Sequence, residues 1–378
     1  MKRLSVITFL VLFLTIGISG QTLADENKSL SSGVPFYGEM TSNTSVDTFV
    51  FTTEKDGGEV YITLEDTTGG FHMTLYDANG NSVGLNFHSK AGGMSDISKT
   101  LAKGTYTLKV KPHNWSGISS ASYKLKATYA SAVNSRDSST FEPNDTIETS
   151  MDIKSGVAYK SSSESYLDID TYQFTTDKDG EVYILLDEAT GGYHLTLYDD
   201  NGNRVGLNFH TRAGDVSYIS KKLAKGTYYV KVKPHSWSGI TSANYRLKAT
   251  YASAISRNKS TFEPNDTMET SMAIKSGISY KSISETFYDI DTYQFTTTAD
   301  GEVNIVLDET TGGFYLKLYD ANGNAVTHDF HSKSGGVSKI SRKLAKGTYY
   351  IKVTPYSWSG ITSANYKLKA TFKEGKVK

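Results

Sequence analysis

Apolar and polar residues alternate one for one along most of this chain. In Glu-Val-Tyr-Ile-Thr-Leu, Val60, Ile62 and Leu64 alternate with Glu59, Tyr61 and Thr63; Tyr228, Val230 and Val232 alternate with Tyr229, Lys231 and Lys233. Tyr245, Leu247, Ala249 and Tyr251 continue the pattern. A period of two puts successive side chains on opposite faces of a pleated strand, so these runs predict half-buried β-strands. Between them lie Asp-Ala-Asn-Gly-Asn from Asp77, Asp-Asp-Asn-Gly-Asn from Asp199 and Asp-Ala-Asn-Gly-Asn from Asp320. Asn-Gly suits the positive φ of a tight hairpin turn. Many short strands joined by such turns predict an all-β chain of antiparallel β-sandwich, jelly-roll-like domains.

The pattern recurs at long period. Trp115, Trp237 and Trp358 sit in near-identical Trp-Ser-Gly-Ile segments 122 and 121 residues apart. Leu-Ala-Lys-Gly-Thr-Tyr begins at Leu101, Leu223 and Leu344 with the same two spacings. This period is too long for a solenoid unit, so three independent tandem domains are expected, over residues 25–132, 133–254 and 255–378. Polar, apolar-poor stretches from Ser131 and Ser253 read as the linkers.

Composition narrows the function classes. With 26 Tyr, 33 Gly and 6 Pro in 378 residues, the chain favours strands and turns over long helices. Lys2 and Arg3, the apolar run from Val6 to Ile18 and Thr22-Leu23-Ala24 predict an export signal over residues 1–24, with the mature chain starting at Asp25. The mature chain then carries 38 basic and 40 acidic residues without a basic block, which argues against a nucleic-acid partner. No later run is apolar enough to span a bilayer, and the absence of cysteine excludes disulfides and thiolate metal sites. The expected protein is secreted and stabilised by its cores or by a bound ion.

Sequence signals for catalysis are lacking. There is no His-Glu-x-x-His, no Gly-x-Ser-x-Gly and no phosphate-binding loop. His88, His210 and His331 recur with the repeat, but nothing at fixed spacing completes a catalytic set, so they read as duplicated structural residues. The Asp-x-Asn-Gly-Asn loops lack the closing Glu of an EF-hand and read as hairpin turns. The chain is expected not to be an enzyme.

One motif does point to chemistry. Phe-Glu-Pro-Asn-Asp-Thr starts at Phe141 and again at Phe262, each followed by Asp-Ile-Asp at Asp168 to Asp170 and Asp289 to Asp291. Asp145 to Asp170 and Asp266 to Asp291 are both 25 residues. Alternation puts both acids of Asp-Ile-Asp on one strand face. Glu142, Asn144, Asp145, Asp168 and Asp170 in the second repeat, and Glu263, Asn265, Asp266, Asp289 and Asp291 in the third, offer the hard oxygen ligands that Ca2+ takes. The competing reading is a polar turn beside an exposed strand edge. In the first repeat an offset of 123 places Ser45 where Asp168 stands and Thr22 where Asp145 stands, so both halves of the motif are missing together. Ca2+ in the second and third repeats would then stiffen the two interdomain junctions.

The linker Glu-Pro-Asn-Asp, the strand Asp-x-Asp-x-Tyr-x-Phe, Gly-Thr-Tyr-Tyr-x-x-Val and a closing Tyr-x-Leu strand together resemble the bacterial pre-peptidase C-terminal domain, related to the collagen-binding domains of secreted clostridial collagenases. The resemblance covers the mature chain as three copies. It implies a β-sandwich jelly roll, commonly appended to secreted proteases, with calcium at the N-terminal linker in the collagen-binding members. It also implies a ligand face on the strand after Gly-x-Tyr-Tyr. Here that face falls near Lys111 and His113, Lys233 and His235, and Thr354 and Tyr356, so the aromatic pair of the relatives is mostly replaced.

His113, His235 and Tyr356, with Trp115, Trp237 and Trp358 in the nearby Ser/Gly-rich loops, are therefore the candidate ligand-binding residues. Each Trp either contacts a ligand or covers a sandwich end. The resulting expectation is a non-catalytic adhesion protein whose three modules engage an extracellular polymer by avidity, either a matrix protein such as collagen or a wall glycan. The alternatives are an accessory component of a secreted peptidase system and a structural spacer.

Overall fold

The computed structural model describes residues 27–115, 117–131, 136–236, 242–253, 261–357 and 362–374. The expected export signal, Trp237 and Trp358 lie outside the described residues. No helix among the described residues is long and apolar enough to cross a membrane.

Three sandwich units follow one another. The first contains β1 (Lys28–Ser29), β2 (Phe36–Met40), β3 (Asp47–Thr53), β4 (Gly58–Glu65), β5 (Phe71–Tyr76), β6 (Ser82–His88), β7 (Ser95–Leu101), β8 (Gly104–Pro112) and β9 (Ala121–Tyr129). The second contains β10 (Met151–Asp152), β11 (Ala158–Ser163), β12 (Asp170–Thr176), β13 (Gly180–Asp187), β14 (Gly192–Asp199), β15 (Arg204–His210), β16 (Ser217–Leu223), β17 (Gly226–Ser236) and β18 (Ala243–Thr250). The third contains β19 (Met272–Ala273), β20 (Ser279–Ser284), β21 (Asp291–Thr297), β22 (Gly301–Asp308), β23 (Gly313–Asp320), β24 (Ala325–His331), β25 (Ser338–Leu344), β26 (Gly347–Ser357) and β27 (Ala364–Thr371).

Each unit packs a five-stranded sheet on a four-stranded one, in the first unit with orders β1-β3-β8-β5-β6 and β2-β9-β4-β7. The other two units repeat both orders strand for strand. Pairing is antiparallel except at one edge of each larger sheet, where a two-residue strand such as β1 runs parallel to its neighbour. Nothing in so short a segment announces its direction.

Alternation builds the cores. Tyr106, Leu108 and Val110 of β8 and Tyr123, Leu125 and Ala127 of β9 face inward from the two sheets, and Phe49, Ile62, Leu64, Phe71 and Leu75 fill the space between. The second and third units have their own equivalent clusters. The Asp-x-Asn-Gly-Asn segments are hairpin turns. Asp77 accepts hydrogen bonds from the backbone of Asn79 (2.9 Å) and Asn81 (2.8 Å), and Gly80 takes φ of 80°.

One strand departs from the simple pattern in an informative way. The outward residues of β4, Tyr61, Thr63 and Glu65, are buried along with the inward ones, as are Tyr183, Leu185 and Asp187 of β13. In β22 the same positions, Asn304, Val306 and Asp308, are exposed or half-buried. The four-stranded sheets of the first two units are covered on their outer face by the following unit. The repeats have separate cores, but they are stacked rather than strung loosely on linkers.

The three recurrent histidines are internal braces. His88 Nδ1 lies 2.7 Å from Ser95 Oγ and its Nε2 lies 3.3 Å from the Gly69 carbonyl. His210 repeats this with Ser217 (2.8 Å) and the Gly191 carbonyl (3.1 Å), and His331 with Ser338 (2.8 Å) and Thr310 Oγ1 (3.1 Å). In His88 and His210 the carbonyl acceptor fixes the proton on Nε2, so the serine hydroxyl donates to Nδ1. The serines are buried, and the arrangement serves packing rather than nucleophilic attack.

Burial holds the pKa of all three imidazoles below the ordinary histidine value. The unfolded chain therefore takes up protons first as pH falls below about 6.5, and their contribution to stability is lost through that window. Urea denaturation at pH 7.5 and 5.5 should show a smaller acid-induced loss of midpoint in a His88→Gln, His210→Gln, His331→Gln variant than in the unaltered protein. Equal losses in the two proteins would refute this assignment.

Candidate functional site

The acid clusters form where the linker meets the first long strand of the second and third units. In the linker Phe141 has φ of 62°, a left-handed conformation that costs a non-glycine residue about 1–2 kcal/mol. Its ring is held at 6.1 Å from Tyr159 and 6.3 Å from Tyr172, which offsets that cost. Arg136 ties the segment down by donating to the carbonyls of Phe141 (3.1 Å), Thr149 (2.7 Å) and Ser150 (2.9 Å). Thr171 N donates to the Asn144 carbonyl at 2.8 Å, joining linker to strand. Thr292 and Asn265 repeat that bond at the same length, and Phe262 repeats the left-handed conformation at 63°.

The sequence-predicted ligands converge. Ligand oxygens of Glu142, Asp145 and Asp168 lie within 4.8 Å of one another, as do those of Glu263, Asp289 and Asp291. Asn144 Nδ2 donates to Asp170 at 2.9 Å and Asn265 Nδ2 to Asp291 at 3.0 Å, so both asparagines belong to the clusters. The Asp-Ile-Asp segments are not exposed strand edges, because Asp168, Asp170, Asp289 and Asp291 are all buried.

Sequence reasoning missed the cation that the structure brings in. Lys126, from β9 of the preceding unit, places its ammonium 3.3 Å from Glu142, 3.1 Å from Asp145 and 3.4 Å from Asp168. Lys248, from β18, lies 2.9 Å from Glu263, 3.2 Å from Asp266 and 3.6 Å from Asp289. Thr128 and Thr250, two residues further along those strands, donate to Asp145 and Asp266 at 2.5 Å.

One ammonium does not balance four carboxylates. Burial and then the neighbouring carboxylate Asp145 push the pKa of Glu142 well above its ordinary value, and burial and then Asp168 do the same for Asp170. Burial raises Asp289 to about 6, although Lys248 opposes the shift. Burial alone would favour neutral lysines, but Asp145 and Asp266 lead the carboxylates that hold Lys126 and Lys248 well above the usual amine range.

Among the described residues, several buried oxygens in the clusters have no hydrogen-bond partner: Glu142 Oε1, Asn144 Oδ1, Glu263 Oε1, Asn265 Oδ1 and Asp266 Oδ1. Unpartnered hard oxygens beside surplus negative charge are a donor set that fits a divalent cation such as Ca2+. In the first unit Ser45 occupies the place of Asp168, and Asp47, the counterpart of Asp170, pairs with Lys28 and accepts the Tyr123 hydroxyl.

The candidate ligand residues fall in two places. Trp115 is a core side chain: it is buried, packs edge-on to Phe71 at 5.6 Å and donates from its indole nitrogen to the Gly70 carbonyl at 2.6 Å. It covers the sandwich end, the packing alternative for a loop tryptophan. Trp237 and Trp358 lie outside the described residues.

His113, His235 and Tyr356 instead belong to three-ring groups on the outer face of the larger sheets. His113 lies 6.2 Å from His72 and 4.8 Å from Phe87; His235 lies 4.4 Å from His194 and 5.4 Å from Phe209; Tyr356 lies 4.7 Å from Tyr315 and 5.0 Å from Phe330. Phe87, Phe209 and Phe330 are 53%, 52% and 48% exposed, too much for core rings. Two rings of each group come from the two arms of one hairpin, in the register that sets His72 opposite Phe87, His194 opposite Phe209 and Tyr315 opposite Phe330, and the third comes from the end of the next strand in the sheet. Their only sequence signal was repetition.

Comparison with known proteins finds one family match, which lies within the third unit. No curated protein matches the chain. Among solved structures, the PBSX exported protein XepA shares 10% identity over 58% of this chain and 88% of its own, with a TM-score of 0.19. A triple jelly-roll protein of an archaeal virus shares 10% over 90% and 82%, with a TM-score of 0.17. A chain of the lipid-containing bacteriophage PM2 shares 7% over 89% and 99%, with a TM-score of 0.15. Residues 289–355, which run from the acid pair of the third unit through most of β26, match the bacterial pre-peptidase C-terminal domain family.

Proposed function

We propose that this is a secreted, non-catalytic adhesion protein in which three pre-peptidase C-terminal-like domains hold an extracellular polymer, with Ca2+ stabilising the two junctions. The observation that carries the reading is the exposed aromatic group found at the same strand positions of all three units. Flat, half-exposed rings suit a polymer with repeated ring faces, whether the pyrrolidines of a collagen-like matrix protein or the pyranoses of a wall glycan. Three weak contacts on one chain raise overall retention by about 10²–10⁴ when all engage one polymer. A second reading, a targeting component of a secreted peptidase system, is favoured by the family match over residues 289–355.

Glu142, Asn144, Asp145, Asp168 and Asp170, and Glu263, Asn265, Asp266, Asp289 and Asp291, would hold the two ions. A bound Ca2+ supplies positive charge where the carboxylates crowd one another. The chain's own part is to fix the linker against the strand and to exclude water from the oxygens.

Titrating Ca2+ into the chelated mature protein by calorimetry should show two sites, absent when Asp170→Ala and Asp291→Ala are combined. Saturation at 100 times Kd should stabilise each site by about 2.7 kcal/mol, read as a rise in Tm. No heat in the unaltered protein would remove the ion from the model of the junction.

Retention on immobilised collagen, gelatin, chitin and peptidoglycan should be seen on at least one matrix. It should fall more than about tenfold when Phe87→Ala, Phe209→Ala and Phe330→Ala are combined, in keeping with lost avidity. Retention unchanged by the triple substitution would exclude the aromatic face as the contact.

A further inference from the structure

Among the described residues the same outward strand face occurs three times and is covered twice. On β9 it presents Lys126 and Thr128, on β18 Lys248 and Thr250, and on β27 Lys369 and Thr371. The i, i+2 spacing puts each pair on one side of its strand. At the first junction Tyr61 adds a hydrogen bond to the Leu167 carbonyl (2.8 Å), and Glu59 takes Lys231 of the second unit at 2.8 Å. At the second, Tyr183 donates to the Tyr288 carbonyl (2.9 Å), and Glu181 takes Lys352 of the third unit at 2.9 Å. Four contacts thus recur between the same positions. In the third unit Lys369, Thr371 and Glu302 are exposed, and Asn304 stands where the tyrosine would be.

We propose that Lys126 and Lys248 are resident cations of the junctions: one domain supplies each to the acid cluster of the next, and it latches the two domains whether or not a divalent ion is bound. An exposed lysine near three acids would be an ordinary surface pair of little consequence. These side chains are 13% and 8% exposed, their partners are 14% exposed or less, and each is seconded by a threonine on the same aspartate. Sharing a cluster between lysine and Ca2+ is also favoured by charge, because four carboxylates carry more negative charge than either cation neutralises. Among the described residues there are three such lysines and two receptacles, since Ser45 replaces the strand acid in the first unit. The latch does not depend on the calcium reading.

Lysine acetylation of the full mature chain, read by mass spectrometry, tests the latch with an internal control. In chelator and in saturating Ca2+ alike, Lys126 and Lys248 should label at least about tenfold more slowly than Lys369, which holds the same strand position without a receptacle. An Asp145→Asn, Asp266→Asn variant that still melts cooperatively should lose much of that protection. Labelling at the rate of Lys369 in chelator would overturn the latch. Protection in chelator that disappears on adding Ca2+ would overturn it too, because the ion would then expel the lysine. Calorimetry on the same sample reads the metal separately: absence of Ca2+ heat with both lysines still protected removes the ion and leaves the latch standing.

Discussion

Buried negative charge is what organises the array. Four carboxylates meet in each of the second and third units, and the lysine reaching them comes from the neighbouring domain. Carboxylates taken out of water are tolerated only when cations and hydrogen-bond donors surround them. The surrounding parts follow from that need: the tied-down linker, the asparagine bonded to the strand acid, the threonine two residues beyond the lysine on the neighbour's strand and the stacking that buries all of them. Removing any one partner leaves charge in a place that water no longer reaches. The first unit has no such demand, because its remaining acid is paired within its own fold.

Much of this was legible in the sequence, and the parts that were not share a cause. Alternation located the strands, and Asn-Gly located the hairpins, because both signals are local. The acid clusters were legible because their two halves appear in two repeats and vanish together from the first. Lys126 and Lys248 were not, since Lys-x-Thr occurs in all three closing strands and cannot by itself tell a covered face from an open one. The change from Tyr61 and Tyr183 to Asn304 did mark the uncovered face, but its meaning depends on knowing which side of the strand the next domain occupies. The parallel edge strands were too short to carry a pattern. Trp115 shows the reverse difficulty: a loop tryptophan resembles a ligand contact until its indole nitrogen is found bonded to Gly70.

The aromatic groups illustrate how surface chemistry is placed on such a fold. Sandwich cores consume most of the aromatic residues, and only register across three strands brings the remaining rings together on the outside. The first two units use two histidines and a phenylalanine, while the third uses two tyrosines and a phenylalanine. The scaffold is thus constant while its outer chemistry varies from unit to unit, as expected when sites are grafted on a repeated fold.

The two junctions make the same four contacts between the same positions, with matching distances that differ by no more than about 0.4 Å. Two interfaces built alike apply the same rotation and translation twice, so the domains are successive steps of one screw operation. The ring groups then ride on that screw at a constant rise and a constant angular offset. On the proposed function, such spacing would select a polymer whose own repeat is commensurate with the step over one that is out of phase.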